Sequence, residues 1–194
     1  MTRLNSWFWV SFVFFGQALC AVVFAGITNI PAGQVFYPIL VLFLGGVCGS
    51  LLFIFNGSGE SRRWKWLIPT LFYGLFIFLM SGRSYPGVQL SFDSGYFHPI
   101  EYFTFGLLVG RCFYWVIDEK GLAGFVWRVI LVGAVFGFLD ELHQGFVPGR
   151  DASYIDFILD MAGILVSVVI VVLIHRLLRL TAIDPASGRR ASEE

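Results

Sequence analysis

The chain has 194 residues, of which 57% are hydrophobic and only 13% are charged, with 22 Phe and 6 Trp. A soluble domain carries about a quarter charged residues, so an integral membrane protein is the class that fits this composition. The formal net charge is zero. Because no overall basic field is present to attract nucleic acid, we expect no nucleic-acid partner.

Six apolar runs are long enough to cross a bilayer, which takes about 20 residues in a helix, or fewer where a polar end is buried in protein. They are Trp7–Ile27, Phe36–Phe55, Trp66–Met80, Phe97–Ile117, Phe125–His143 and Ile155–Ile174. The third run is the shortest, and the fifth reaches full length only by including Asp140 and Glu141. The sequence therefore predicts an all-α, polytopic membrane helix bundle with about six transmembrane helices.

Short polar segments and glycines complete this outline. The linkers Asn56 to Gly59 and Asp118 to Gly121 are predicted to form turns on the inner side. The chain after Leu180 has no apolar period, so we predict one transmembrane domain over 1–180 and a disordered cytoplasmic tail over 181–194. Glycines spaced four residues apart predict close helix packing rather than a ligand site. These pairs are Gly45/Gly49, Gly106/Gly110 and Gly133/Gly137.

Basic residues predict the orientation, because Lys and Arg concentrate on the cytoplasmic side. With a cytoplasmic N-terminus, the inner segments hold ten Lys and Arg residues, against two in the outer loops, Arg83 and Arg150. Both termini are therefore predicted to be cytoplasmic. Polar residues from separate segments then gather at the outer face. They are Ser81 to Arg83, His98, Glu101, Asp140 to Gln144, Arg150, Asp151, Asp156 and Asp160.

The end of the fifth apolar run carries the densest group of polar side chains. Ionisable residues this close to lipid are costly unless they face a cavity or each other. Asp140, His143 and Gln144 stand at i, i+3 and i+4, so one helix face presents all three, while Glu141 points towards the headgroups or another helix. A helix that simply ends at the interface would explain one or two of these residues. We take all four as candidate catalytic residues.

The segment from Gly145 to Arg150 predicts a tight turn. Pro148 presets one φ angle and Gly149 tolerates a positive one, as a type II turn requires. The turn would project Arg150, whose guanidinium suits a carboxylate or phosphate partner. The alternative is an internal ion pair of Arg150 with Asp151 or Asp156. We include Arg150 among the candidate ligand-binding residues.

Two carboxylates follow at the start of the sixth run. Ser153 and Asp156 have the S-x-x-D spacing of a helix start, so Asp156 either caps the helix or belongs to the site. Asp160 lies one turn deeper, on the face shared by Asp156 and Gly163. A carboxylate there must be protonated, paired or solvated by a cavity. Asp156 and Asp160 are both candidate ligand-binding residues.

His98, Glu101 and Tyr102 form a matching polar face at the outer start of the fourth run, and we assign them a ligand-binding role as well. Histidines and carboxylates could bind a divalent metal ion. However, no HExxH-like spacing appears, and a proton-sharing network would need the same residues without a metal. We therefore predict no metal ligands from the sequence, and the pattern identifies no cofactor.

At these residues the sequence resembles the VanZ-like family of bacterial membrane proteins, over a region of about 66–175. The family's late signature is similar to D-E-x-x-Q, a P-G-R turn and S-x-x-D-x-x-x-N-x-x-G, and an earlier one is similar to H-x-x-E-Y. The late signature is met by Asp140, Glu141, Gln144, Pro148, Gly149, Arg150, Ser153, Asp156 and Gly163, and the earlier one by His98, Glu101 and Tyr102. Asp160 stands where the family usually has Asn, and Gly95 where a Lys commonly precedes the His, so both departures make the site more negative.

The resemblance implies a multi-pass protein of the bacterial inner membrane with a role in the cell envelope. The family's namesake is associated with resistance to teicoplanin, a glycopeptide antibiotic that binds peptidoglycan precursors. We therefore expect membrane lipids as partners, and an outward-facing polar pocket that binds or modifies a lipid-linked cell-wall precursor or glycopeptide-type ligand. Arg150 would hold an anionic group, while Asp140, Glu141 and His143 orient the ligand.

Two alternative functions use the same residues, so whether the protein is an enzyme stays open at this point. The first is an intramembrane hydrolase or transferase, with Asp140 or His143 as general base and Gln144 or Arg150 stabilising developing charge. The second is a proton-coupled carrier that uses the deep carboxylate of Asp160.

Overall fold

The computed structural model describes residues 6–55, 63–84 and 97–183. Within these ranges the chain is helical and contains no strand, which confirms the predicted all-α bundle. The helices are α1 (Ser6–Ile27), α2 (Ala32–Phe55), α3 (Leu67–Ser81), α4 (His98–Phe113), α5 (Val116–Gln144) and α6 (Tyr154–Ile183), and a 3₁₀ turn at Arg63–Trp66 precedes α3. The predicted inner turn at Asn56 to Gly59, the position of Gly95 and the tail beyond Ile183 lie outside the described residues.

Four of these helices, α1, α2, α5 and α6, are long and apolar enough to cross a membrane. The chain is therefore a membrane-embedded helix bundle. With 15 and 16 residues, α3 and α4 each extend about 24 Å or less at about 1.5 Å per residue, which is shorter than a hydrocarbon core of about 30 Å. Since α4 buries Tyr102, Phe105 and Val109 among its neighbours, much of its surface faces protein rather than lipid.

The connection between α4 and α5 differs from the prediction. Hydropathy predicted an apolar run to Ile117 followed by a turn at Asp118 to Gly121. In the structure α4 ends at Phe113, a turn at Tyr114 and Trp115 follows, and α5 begins at Val116. Gly121 still interrupts the helix, with a φ of 73° that glycine adopts without strain. Hydropathy missed the earlier turn because aromatic residues form it.

Glycines allow the helices to approach closely, as their spacing predicted. A Cβ atom on Gly45 would collide with the ring of Phe14, and one on Gly106 would collide with the side chain of Ser167. A Cβ atom on Gly133 would lie 2.8 Å from Ile164. The small residues of α2, α4 and α5 therefore face neighbouring helices.

At Gly163 of α6 the close approach is to the backbone of α4 rather than to a side chain. A Cβ atom here would overlap the carbonyl oxygen of Pro99 and lie 2.8 Å from the backbone nitrogen of Phe103. Both obstacles are backbone atoms of one helix turn, so they cannot move aside as a flexible side chain could. Gly163 therefore fixes the first turns of α4 and α6 side by side.

The two ends of the bundle differ in chemistry. We define the polar end as the end of the bundle formed by the last turns of α3 and α5, the first turns of α4 and α6, and the turn between α5 and α6. At the opposite end, the guanidinium of Arg111 lies 4.3 Å from the ring centroid of Trp66, which also stacks on Trp7. Arg179 pairs there with Asp118 at 2.9 Å. The acidic candidates from separate segments meet at the polar end.

Replacing Gly163 with Ala should destabilise the bundle, because the added methyl group has no space between the two backbones. We expect a loss of about 1–3 kcal/mol in the free energy of unfolding, the usual range for overpacking. The measurement is thermal unfolding of purified protein in detergent, followed by tryptophan fluorescence. Gly16→Ala in α1 is the control, since no atom lies within 4 Å of its added Cβ. Equal melting temperatures for the two variants would contradict the predicted backbone contact.

Candidate functional site

A buried pair joins α4 to α6 at the polar end. The Nδ1 atom of His98 lies 2.9 Å from the Oδ1 atom of Asp160. Asp160 is fully buried, and His98 is only 7% exposed. The second carboxylate oxygen of Asp160, Oδ2, is buried and has no hydrogen-bond partner. Of the three states expected for a carboxylate at this depth (protonated, paired or solvated by a cavity), the paired one is present, although it uses only one of the two oxygens.

Two further carboxylates reach the same region from the last turn of α5. Asp140 and Glu141 are both buried, and Gln144 is completely buried beneath them. The side-chain amide of Gln144 donates hydrogen bonds to Asp140 Oδ2 at 3.1 Å and to Glu141 Oε1 at 3.3 Å. One amide group therefore positions both acids.

Glu141 also holds the first turn of α6. Its Oε2 atom accepts a hydrogen bond from the backbone N–H of Ser153 at 2.7 Å. Of the two predicted directions, Glu141 therefore points towards another helix rather than towards the headgroups. The hydroxyl of Ser153 in turn accepts from the backbone N–H of Asp156 at 3.2 Å. The predicted helix start is confirmed, with Ser153 rather than the Asp156 carboxylate as its cap. Asp156 is half-buried beside the cluster.

The turn between α5 and α6 has the predicted form. The Arg150 N–H donates to the Val147 carbonyl oxygen at 3.1 Å, and Gly149 has a φ of 81°. The Arg150 guanidinium donates to the Gln144 side-chain oxygen at 2.5 Å and to the Arg83 carbonyl oxygen at 3.3 Å. Among the described residues it forms no ion pair, so the alternative pairing with Asp151 or Asp156 does not occur.

His143 lies apart from this cluster, contrary to the shared face predicted for it. Its ring stacks on Phe78 of α3, with centroids 4.1 Å apart, and its Nε2 atom is buried without a hydrogen-bond partner. Residues three apart on a helix are offset by about 60° around its axis. That offset directs His143 towards α3 while Asp140 faces α4 and α6. His143 therefore contacts α3 and forms no hydrogen bond with the acids among the described residues.

A cavity of about 480 Å³ opens beside the cluster. Helices α1 to α4 provide most of its wall. The part of the cavity nearest the polar end of the bundle is lined by His98, Glu101, Asp140 and Arg150. Its apolar wall includes Ala21, Phe24, Val35, Ile39, Phe76 and Phe97. The remaining candidates, Tyr102, Glu141, Gln144, Asp156 and Asp160, do not line it in the described part of the chain.

Tyr102 is packed in the core beside the site and does not line the cavity. Its side chain is fully buried and lies beside Asp140, without a hydrogen bond of standard geometry from its hydroxyl. Glu101, one residue earlier, is half-buried and reaches the cavity. The predicted polar face of α4 therefore contributes His98 and Glu101 to the cavity, and Tyr102 to the core.

Among the cavity residues that were not predicted from the sequence, Gln17 and Tyr73 carry polar groups. Gln17 of α1 donates a hydrogen bond to the Thr104 hydroxyl at 3.1 Å, and Tyr73 of α3 is fully buried beside the same cavity. The sequence signal for Gln17 was an amide side chain in the middle of an apolar helix. Tyr73 gave no such signal, because an aromatic residue in an apolar run is ordinary core.

The arrangement supports two kinds of chemistry. The guanidinium of Arg150 can hold an anionic group, because it forms no ion pair with an acid within the described residues. Separately, His98, Asp140, Glu141 and Asp160 each offer one ligand atom, and these four atoms lie within 4.8 Å of one another, so they could hold a metal ion. Sequence spacing could not predict this group, since its members come from three helices.

Glu141→Ala should loosen the start of α6, because the Ser153 N–H and one Gln144 N–H lose their acceptor. We expect a loss of about 1 kcal/mol of local stability, a usual value for a removed helix-terminal hydrogen bond. Hydrogen–deuterium exchange of peptides covering 153–160 should quicken. Asp151→Ala, an exposed acid in the same turn, is the control. Unchanged exchange in the Glu141 variant would rule out this role.

No protein-family model, curated protein or solved structure matches this chain. What the site does must therefore be inferred from its own geometry: a buried cluster of one imidazole and three carboxylates, next to a cavity with apolar walls and a guanidinium at its polar end.

Proposed function

We propose that this chain is a VanZ-like protein of the bacterial inner membrane that binds an amphiphile with an anionic head group. The ligand class that fits best is a lipid-linked cell-wall precursor. A single observation carries the proposal: a cavity of about 480 Å³ has apolar walls and ends at His98, Glu101, Asp140 and Arg150. Its volume lies within the range of about 300–1,000 Å³ that is usual for small-molecule sites.

The guanidinium of Arg150 is suited to the anionic group of such a ligand. Its hydrogen bonds to the Gln144 side chain and the Arg83 backbone are accepted by neutral oxygens. These bonds hold the side chain in place, while its charge and its other N–H groups stay free to bind a phosphate. Binding then costs less side-chain entropy than it would for an unrestrained arginine.

The neighbouring acids narrow the ligand class. Glu101 and Asp140 line the same end of the cavity and would repel a bare anion. They would accept hydrogen bonds from hydroxyl or amide groups next to the phosphate. A lipid phosphate that carries a sugar offers both kinds of group, whereas a simple fatty acid offers only the anion.

The distribution of charge supports an outward-facing polar end. Arg111, Lys120 and Arg128 belong to the segments at the opposite end, as do Arg176 and Arg179. Basic residues of this kind favour the cytoplasmic side. The cavity would then face the periplasmic side, where cell-wall precursors are used. A role towards teicoplanin-type glycopeptides rests on the family resemblance alone.

Arg150→Ala should remove the preference for a charged head group. We expect wild-type protein in phosphatidylcholine nanodiscs to bind polyprenyl phosphate at least about tenfold more tightly than the neutral polyprenol, since a hydrogen bond to a charged group contributes about 1.5–3 kcal/mol. Fluorescence competition measures both affinities. The variant should bind the two lipids equally.

Arg128→Ala is the matched control, because this arginine lies on α5 and bonds to the Gly124 carbonyl oxygen of its own helix. Its preference for the phosphate should equal that of the wild type. Glu101→Gln should also retain the preference. An Arg150→Ala protein that still prefers the phosphate, or a wild type without any preference, would overturn the proposal.

Filling the cavity should weaken binding of both lipids. Ala21 lines the cavity, whereas Val23 of the same helix faces outwards. Ala21→Phe should reduce the affinity for polyprenyl phosphate and polyprenol alike, because the apolar chain loses space. Val23→Phe should leave both affinities unchanged. Equal affinities in the two variants would place the lipid chain elsewhere on the protein.

The second candidate function is an intramembrane hydrolase or transferase. It is favoured by one observation, the contact between His98, which lines the cavity, and Asp160, which could orient it as a general base. His98 would then replace Asp140 and His143 as the candidate base. Turnover of lipid-linked precursors by purified protein, lost in His98→Ala, would establish this function. No separate observation in the described residues favours the carrier alternative.

A further inference from the structure

The four-residue cluster behind the cavity has the composition of a metal site. His98, Asp140, Glu141 and Asp160 come from α4, α5 and α6, and all four are at most 7% exposed. One ligand atom from each lies within 4.8 Å of the others. Opposite ligands around an octahedral ion with bonds of about 2.1 Å are about 4.2 Å apart. Small side-chain rotations would therefore close the cluster around one ion.

Charge is the second reason to expect a cation. Three carboxylates meet here, and in the described part of the chain none of them pairs with Lys or Arg. The nearest guanidinium, that of Arg150, donates instead to neutral oxygens of Gln144 and Arg83. Buried carboxylates this close together repel one another unless protons or a cation neutralise them.

A buried oxygen atom of Asp160 without a hydrogen-bond partner is an independent indication of a ligand. Asp160 is fully buried, and its Oδ2 atom has no hydrogen-bond partner. This oxygen faces α5 at Gly137, where an added Cβ atom would lie 3.4 Å from it. Asp140 and Glu141 follow on α5 within the next helical turn. A buried carboxylate oxygen without a partner is costly, and a metal ion between α5 and α6 would satisfy it.

We propose that His98, Asp140, Glu141 and Asp160 bind one divalent first-row transition metal ion. One imidazole nitrogen with three carboxylate oxygens suits Mn²⁺, Fe²⁺ or Zn²⁺ better than the all-oxygen sites of Ca²⁺ or the thiolate sites of softer metals.

The surrounding hydrogen bonds fit the same role. Gln144 donates to both Asp140 and Glu141, and the Ser153 N–H donates to Glu141. Such partners hold ligand carboxylates in a fixed orientation around a metal. Because His98 and Asp140 also line the cavity, the ion would lie at its polar end. Formation of the metal site needs no lipid, so it can be tested in the absence of the proposed amphiphile.

Metal titration of the detergent-solubilised protein tests the proposal. The protein is stripped with a chelator, dialysed and titrated with Mn²⁺, and free Mn²⁺ is followed by electron paramagnetic resonance, with Zn²⁺ as competitor. We expect one ion per chain. The double variant Asp140→Asn/Glu141→Gln should bind at least about 100-fold more weakly, since even indirect partners of a metal contribute about 10- to 100-fold.

The matched control is Asp118→Asn/Glu119→Gln, which removes one Asp and one Glu from the other end of α5. It should bind Mn²⁺ like the wild type. If both double variants lose affinity equally, or if the wild type binds no Mn²⁺ or Zn²⁺ at millimolar concentration, the proposal is wrong. All titrations are made without added lipid, and the lipid titrations can be repeated with chelator, so failure of one proposal does not imply failure of the other.

A spectroscopic measurement covers the case in which a cluster variant does not fold. Bound Mn²⁺ in the wild type should show electron spin-echo modulation from a ligand nitrogen, and His98→Gln should lose that modulation. His143→Gln is its control, because His143 stacks on Phe78 outside the cluster. Nitrogen modulation that persists in His98→Gln, or that is missing from the wild type, would overturn the assignment of His98 as a ligand.

Discussion

The polar end of this protein depends on one contact between two helices. Gly163 of α6 packs directly against the backbone of α4, and one turn earlier on α6 Asp160 meets His98. The absence of a side chain at Gly163 and the His98–Asp160 pair depend on each other. Without the close approach the imidazole and the carboxylate could not meet, and without the pair a carboxylate would be left unsatisfied in an apolar interior.

From that contact the rest of the site follows by short-range hydrogen bonds. Gln144 positions both acids at the end of α5 and accepts a hydrogen bond from Arg150, while Glu141 holds the start of α6. The acids therefore stand on helices rather than on loops. A site built in this way can keep charged groups within a membrane, because hydrogen bonds hold Asp140, Glu141 and Arg150 in place and the cluster is buried in protein rather than exposed to lipid.

Much of this could be predicted from sequence, and the exceptions have physical causes. Helix content, the type II turn before Arg150, the helix start at Ser153 and the close packing at the glycines all follow from local rules, and all are present. The contact of His143 with Phe78 of α3 could not be predicted, because it depends on where the neighbouring helices pack around α5. The turn at Tyr114 and Trp115 could not be predicted from hydropathy, because aromatic residues are as apolar in a turn as they are in a helix.

The cavity and the four-residue cluster depend on tertiary structure in a stronger sense. Gln17 and Tyr73 reach the cavity from helices that carry no recognisable motif, and the ligand atoms of the cluster come from α4, α5 and α6. The shared depth of these polar residues in the membrane follows from the order of apolar runs and basic residues. The contacts between them do not, because they depend on the rotation of each helix about its axis.

A double-mutant cycle on His98 and Asp160 tests the central contact most directly. The free energy of unfolding is measured in mixed micelles for the wild type, His98→Ala, Asp160→Ala and the double variant. If the pair exists, each single change strands its partner, and the double variant costs less than the sum of the two singles by at least about 0.5 kcal/mol. Strictly additive losses would mean that the two residues do not touch, and they would contradict the account.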